Sequence, residues 1–267
     1  MSDKLSEKFS ANPYNINNRL ISSNEVVNLM KKLKIDNFTI NNVSLYQTSF
    51  IHKSYCSMKD YEKYDYPGEL YLPLQEQSYE IMEFLGDAIL GSVVSSYIYK
   101  RFHIIHNQNE GFLTKLKVRI VCGQNLAKLS NDLSLNKYLV ISKHIEDNCD
   151  GRNNENILED VLESLIGAIY LDHSYEVAER FIIQLMETYV DFTEILLTDT
   201  NYKDRISRYI QKNFQVYPQY KHMKLEDCFC CEIYKGDVLI STGKGISKKK
   251  SEQEASRQAL IFYNVIT

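Results

Sequence analysis

The sequence predicts two units of different architecture, an all-α domain followed by a small α+β domain. Three observations predict this. Apolar residues recur at three- and four-residue spacing from about Ser22 to Leu197, as in helices with one buried face. After Thr198 the pattern becomes a short helix, alternating apolar and polar segments, and a final helix. The charge balance changes sign at the same place: 19 Lys/Arg against 27 Asp/Glu before Thr198, and 12 against 8 from there on. A basic appendage on an acidic body points to polyanion binding.

Residues 1–20 are polar and read as a flexible tail, leaving the helical domain at 21–197 and the second domain at 198–267. Val26, Val27, Met30 and Leu33 give the first helix, with Ser23 or Asn24 as its N-cap. Residues 56–77 break the pattern. They hold Pro67, Gly68 and Pro73, with Asp60, Glu62, Asp65, Glu69 and Glu76 against Lys59 and Lys63, which predicts an acidic, Tyr-rich loop. Helices follow at about 78–102, 110–131, 155–171 and 174–196, with a turn at 149–156. In the second unit a helix is expected at 203–213 and strands at 229–234 and 238–241 about the turn Lys235-Gly236-Asp237. Ser247 would cap a final helix running to Asn264.

A content of 44% hydrophobic and 25% charged residues is that of an ordinary globular protein. No uncharged apolar run approaches the roughly 18 residues of a membrane span, and the N-terminus lacks an apolar signal core. An intracellular, cytoplasmic protein with no membrane association is therefore expected. Six cysteines in 267 residues form no secreted-scaffold pattern and are expected to be reduced. No Gly-rich nucleotide loop and no Ser/His/Asp arrangement is visible.

The segment from Tyr79 to Leu90 is the most informative. On a helix Glu80, Glu83 and Asp87 fall at i, i+3 and i+7, on one face. Ile81, Met82, Phe84, Leu85, Ala88, Ile89 and Leu90 surround them, so the helix is apolar nearly all round and expected to be buried. A second such helix spans Ile157 to Tyr170, with Asp160 and Glu163 sharing a face and Glu159 left as a surface charge. Buried carboxylates are costly unless paired or bound to a cation. Gly86 and Gly167 lie mid-helix, where Gly costs about 1 kcal/mol against Ala but permits close approach of another backbone. Two helices converging there would point Glu83, Asp87, Asp160 and Glu163 at one place. An oxygen-only donor set selects Mg²⁺ or Mn²⁺ over zinc.

These residues resemble the ribonuclease III family. Glu80-Ile-Met-Glu83-Phe-Leu-Gly-Asp87 is similar to its signature helix, and Asp160-Val-Leu-Glu163-Ser-Leu-Ile-Gly-Ala to its second acidic motif. Phe50-Ile51-His52-Lys53-Ser54-Tyr55 is similar to its His-x-Ser segment, and Glu110-Gly111-Phe112-Leu113-Thr114 to the start of a helix carrying a further acidic residue. The four motifs stand in the family's order over about residues 25–196. Residues 56–77 form an insertion between the His-x-Ser segment and the signature. The resemblance implies metal ligands at Glu83, Asp87, Asp160 and Glu163, assisting positions at Glu80 and Glu110, Mg²⁺ with Mn²⁺ substituting, and a homodimer. The implied activity is endonucleolytic cleavage of double-stranded RNA to 5′-phosphate and 3′-hydroxyl ends with short 3′ overhangs. A relative that only sequesters duplex RNA is the rival reading. Such a relative would normally have lost one of the acidic positions, and all are present.

Gly243-Lys-Gly-Ile-Ser247-Lys248-Lys249-Lys250 resembles the start of the last helix of a double-stranded RNA-binding domain, whose order is α-β-β-β-α. Three lysines in the first turn add to the positive end of the helix dipole and make a phosphate clamp of Ser247, Lys248, Lys249 and Lys250. The other contact surfaces match poorly. Asp204, Ser207 and Arg208 fall where the family has polar groove-binding residues, and Leu225–Cys228 is a short acidic loop. Cys228, Cys230 and Cys231 with His222 suggest zinc, but Cys230 and Cys231 would point to opposite faces of a strand.

Overall fold

The computed structural model describes residues 11–197 and 202–266. It divides into two units, Met1–Ile195 and Leu196–Thr267. Residues 1–10 of the expected tail and 198–201 at the expected boundary lie outside the described residues.

The first unit contains α1 (Ser23–Lys32), α2 (Val43–Thr48), α3 (Glu80–Ile98), α4 (Glu110–Ile120), α5 (Gly123–Asp132), α6 (Lys143–Cys149), α7 (Glu155–Asp172), α8 (Tyr175–Tyr189) and α9 (Phe192–Leu197). The cap of α1 is Ser22, one residue before the expected position. Ser22 and Glu25 form a reciprocal capping box. The single helix expected at 110–131 is broken at Val121–Cys122, where Cys122 becomes the extended N-cap of α5. The chain after α3 widens into a π-helical turn, Tyr99–Ile104.

The core is built around α7, of whose 18 residues 12 are buried, including Leu158, Val161, Leu162, Leu165, Ile166 and Ile169. Asn154 caps it, accepting from the backbone of Asn156 and Ile157. On α3, Met82, Ile89, Leu90, Val93, Val94 and Ile98 face this core. The outer face of α3 does not match the expectation of burial: Ile81 is 83% and Phe84 79% exposed. The helix is apolar on two sides, and the fold of one chain covers one of them. Glu80–Ile104 is also long and apolar enough by composition to cross a membrane, although no uncharged run within it reaches 18 residues. Its carboxylates at one end and its core-facing side mark it as the packed helix of a domain.

Residues 11–20 are not a free tail. Asn15 and Asn18 donate to the carbonyl of Ile141, Asn18 accepts from the backbone of Ile141, and Lys143 donates to the carbonyl of Pro13. The insertion is also anchored. Tyr61 is buried and donates to the Ser54 carbonyl, Tyr55 donates to Leu72, and Tyr14 packs edge-on against Tyr66 and Tyr71.

The second unit contains α10 (Tyr202–Phe214), β1 (Gln219–Lys224), β2 (Phe229–Lys235), β3 (Val238–Gly245) and α11 (Lys248–Phe262). The strands form one antiparallel sheet of order β1-β2-β3. A small core of Ile206, Ile210, Cys231, Ile233, Ala255, Ala259 and Leu260 lies between the sheet and the two helices.

Candidate active site

Helices α3 and α7 cross backbone to backbone. A Cβ on Gly86 would overlap the Glu163 carbonyl oxygen, and one on Gly167 would overlap that of Met82. The reciprocal glycines fix where the two acidic faces meet.

Carboxylates of both helices lie near this crossing; Glu83, Glu159 and Asp160 are half-buried and Asp87 is exposed. Glu163 is buried, only 8% exposed. Burial, then the charges of Asp87, Glu159, Glu83 and Asp160, push its carboxyl up to about 8. Asp160 is raised by burial despite a stabilising hydrogen bond from Tyr79. Burial and the charge of Asp160 raise Glu83. Burial is the leading cause of each rise, with neighbouring like charges adding to it at Glu83 and Glu163. Among the described residues no group of three or more His, Cys, Asp or Glu side chains is arranged to hold a metal ion. An all-oxygen set carrying excess negative charge fits a hard divalent cation.

A rigid corner supports the cluster. Tyr79 is buried and donates to Asp160 Oδ2 at 3.0 Å, while its backbone N–H donates to the Ile51 carbonyl. The phenol therefore ties the start of α3 to the acidic face of α7. The His52 ring lies 5.8 Å from that of Tyr79, and its Nδ1 accepts from the Ser54 backbone. Burial, then the neighbouring charge of Lys53, lowers His52 to about 4, so the ring is neutral near pH 7. Ser54 is buried and its hydroxyl accepts from the Ser142 backbone. Lys53 points outward and pairs with Glu80 at 2.8 Å. That bond lowers the Glu80 carboxyl.

The expected site residues do not all converge. Glu110 is exposed at the first turn of α4, where it accepts from Thr114 at 2.7 Å. Glu159 is not the surface charge expected of it. Its carboxylate lies where a Cβ on Gly123 would be, at the start of α5, and burial with Asp160 and Asp87 raises it. Neighbours distant in sequence put Glu159 there, so helical spacing within α7 could not have found it. Tyr79 was missed for the same reason, although it directly precedes the acidic signature.

In the second unit Lys248, Lys249 and Lys250 are all exposed, and Ser247 caps α11 by accepting from the Lys250 backbone. Gly243 and Gly245 let β3 pass close to α11, since side chains there would overlap the backbone of Ala255 and Ser251. Arg208 pairs with Asp204, and Ser207 lies 3.4 Å from the Tyr220 hydroxyl. The suggested zinc cluster does not form. Cys231 is buried in the small core, and His222 pairs with Glu252 at 2.9 Å. All six cysteines are free thiols.

Known proteins similar to this chain include several ribonucleases. A family model described as ribonuclease-III-like matches residues 42–189. Ribonuclease 3 of Borreliella afzelii is 33% identical over 236 residues, 86% of this chain and 88% of that protein. A probable ribonuclease 3 of Acanthamoeba polyphaga mimivirus is 32% identical over 262 residues, 96% of this chain, which spans 48% of that longer protein. The ribonuclease III nuclease domain of Campylobacter jejuni is 27% identical, with 61% of this chain and 95% of that chain covered at a TM-score of 0.48. With that family model over more than half of the chain and the Borreliella relative covered almost throughout, the chain belongs to the ribonuclease III family of endoribonucleases.

Proposed function

We propose that this chain cleaves double-stranded RNA by metal-dependent phosphodiester hydrolysis, acting as a homodimer and leaving 5′-phosphate and 3′-hydroxyl ends with short 3′ overhangs. The observation that carries the reading is Glu163, a carboxyl only 8% exposed at the place where two acidic helices approach backbone to backbone. A domain gains nothing in stability from such an arrangement; a cation makes it favourable. Glu83, Asp87, Asp160 and Glu163 would hold Mg²⁺, or Mn²⁺ in its place. Bound there, two such ions supply Lewis-acid charge to the phosphoryl oxygens and lower the pKa of water for in-line attack.

The chain's own residues set that geometry. Tyr79 orients Asp160, the glycines at 86 and 167 fix the separation of the two helices, and Lys53 holds Glu80 at the rim. Ile81 and Phe84 extend outward from the same helix, a face suited to its twin in a second copy, so that two sites would address the two strands. The exposed lysines at the start of α11 would hold phosphates, giving a grip that reads duplex shape more than sequence.

The test is incubation of a long uniform RNA duplex with the chain in Mg²⁺, in Ca²⁺ and in chelator. Mg²⁺ should give short products bearing 5′-phosphates. Ca²⁺, larger and more loosely coordinated, should support binding without cleavage. Equal cleavage in chelator would refute the metal assignment, and cleavage of single strands alone would refute the substrate.

A further inference from the structure

An acidic domain that cuts a polyanion needs positive charge at the point of contact. Up to residue 197 the chain carries 27 acidic and 19 basic residues, and buried Glu163 lies in the proposed site. Lys53 stands at the rim of that site. Its Nζ is 2.8 Å from Glu80 Oε1, and its side chain is 54% exposed. An ammonium has three donors, and Glu80 is the ion-pair partner described for this one.

The lysine is exposed, but its base is rigid. It opens the short 3₁₀ turn Lys53–Tyr55, whose next two residues, Ser54 and Tyr55, are buried. His52 caps this turn, and Ser54 is tied to Ser142. Tyr61 of the insertion donates to the Ser54 carbonyl. A fixed base carrying a solvent-facing cation beside an anionic site is suited to meeting a mobile anion. The anion available in the reaction is a backbone phosphate of the RNA.

We propose that Lys53 is an RNA-contacting residue, donating to a backbone phosphate beside the cleavage point while Glu80 holds its ammonium at the rim. This rests on the carboxylate cluster being the cleavage site. The insertion at 56–77 then buttresses the turn that carries the contact.

The experiment uses the full chain and one RNA duplex, with binding measured in Ca²⁺ across a salt series for wild type, Lys53→Ala and Lys53→Arg. Binding of Mn²⁺ alone is measured in parallel, and Glu163→Gln is assayed for cleavage. A phosphate contact predicts several-fold weaker duplex binding in Lys53→Ala and a salt slope shallower by roughly 0.7–0.9. It also predicts recovery of both in Lys53→Arg, with Mn²⁺ affinity not weakened. Unchanged affinity and slope would overturn the proposal. Tighter Mn²⁺ binding with an unchanged slope would also overturn it, because Lys53 would then be an internal counter-ion for the carboxylates. If Glu163→Gln cleaves normally, the reading of the site itself fails; if it is dead while the Lys53→Ala slope is unchanged, only the lysine inference fails. Should Lys53→Ala not fold, Lys53→Gln keeps the length of the side chain and removes the same charge.

Discussion

Tyr79 and Glu163 differ in how visible they are from sequence. Glu163 was legible because its partner Asp160 and the mid-helix Gly167 are close neighbours on one helix. Tyr79 was not, because its role depends on Asp160, 81 residues away. Removing its hydroxyl leaves the ring packed but frees Asp160 to turn. Tyr79→Phe should therefore lower cleavage by about 10–100-fold, the usual cost of losing a residue that orients a metal ligand, with little change in duplex affinity. Parallel cleavage and binding assays check this, and an unaltered rate would remove Tyr79 from the site. Glu163 makes a second prediction through pH. Its carboxyl is raised from 4.5 to about 8 in the fold, so the folded state favours the neutral form. That stabilisation is complete below about 4.5 and is lost as pH rises toward 8. The metal-free protein should melt at a lower temperature at pH 8.5 than at pH 5. Mg²⁺ should restore more stability at the higher pH, and Glu163→Gln should lessen the fall. A melting curve in Glu163→Gln that declines as steeply as wild type would contradict this.

At the scale of elements, α3 and α7 carry the proposed site, and their crossing depends on two missing side chains. Gly86→Ala gains up to about 1 kcal/mol in helix propensity. The added methyl meets a backbone carbonyl that no rotamer change can move, and such overpacking costs typically about 1–3 kcal/mol. The expected net result is a lower melting temperature with a larger loss of cleavage, because separating the helices spreads the carboxylates. Equal stability and activity would mean that the helices part without consequence. The outer face of α3 carries Ile81 and Phe84. Phe84→Asp should yield a monomer by light scattering with the fold intact by circular dichroism; a persistent dimer would place the interface elsewhere. Periodicity marked the long helices, but it read through the break between α4 and α5 because apolar spacing continues across Val121 and Cys122. Strand β1, Gln219–Lys224, was invisible to it because the strand buries almost nothing; backbone pairing with β2 holds it in place.

For the molecule as a whole, the two units differ in charge, 27 acidic against 19 basic residues up to 197 and 8 against 12 from 198 on. The helical unit collects carboxylates at a glycine-mediated crossing, and the α+β unit presents three exposed lysines at a helix start. This division was legible from charge counts and from the change of pattern near residue 198. The ordering of residues 11–20 and of the insertion was not, because both are held by long-range bonds to Ile141, Lys143 and Ser54 rather than by local pattern. The central claim is that the carboxylates of α3 and α7 form a cation site that cuts duplex RNA. Its most direct test is Glu163→Gln, which keeps the side chain's shape and removes its charge, assayed in Mg²⁺ for both cleavage and binding of one long RNA duplex. The account predicts at least about a 100-fold loss of cleavage, beyond the usual range for orienting residues, with duplex affinity within a few-fold of wild type. Cleavage by Glu163→Gln at a near-normal rate would contradict it.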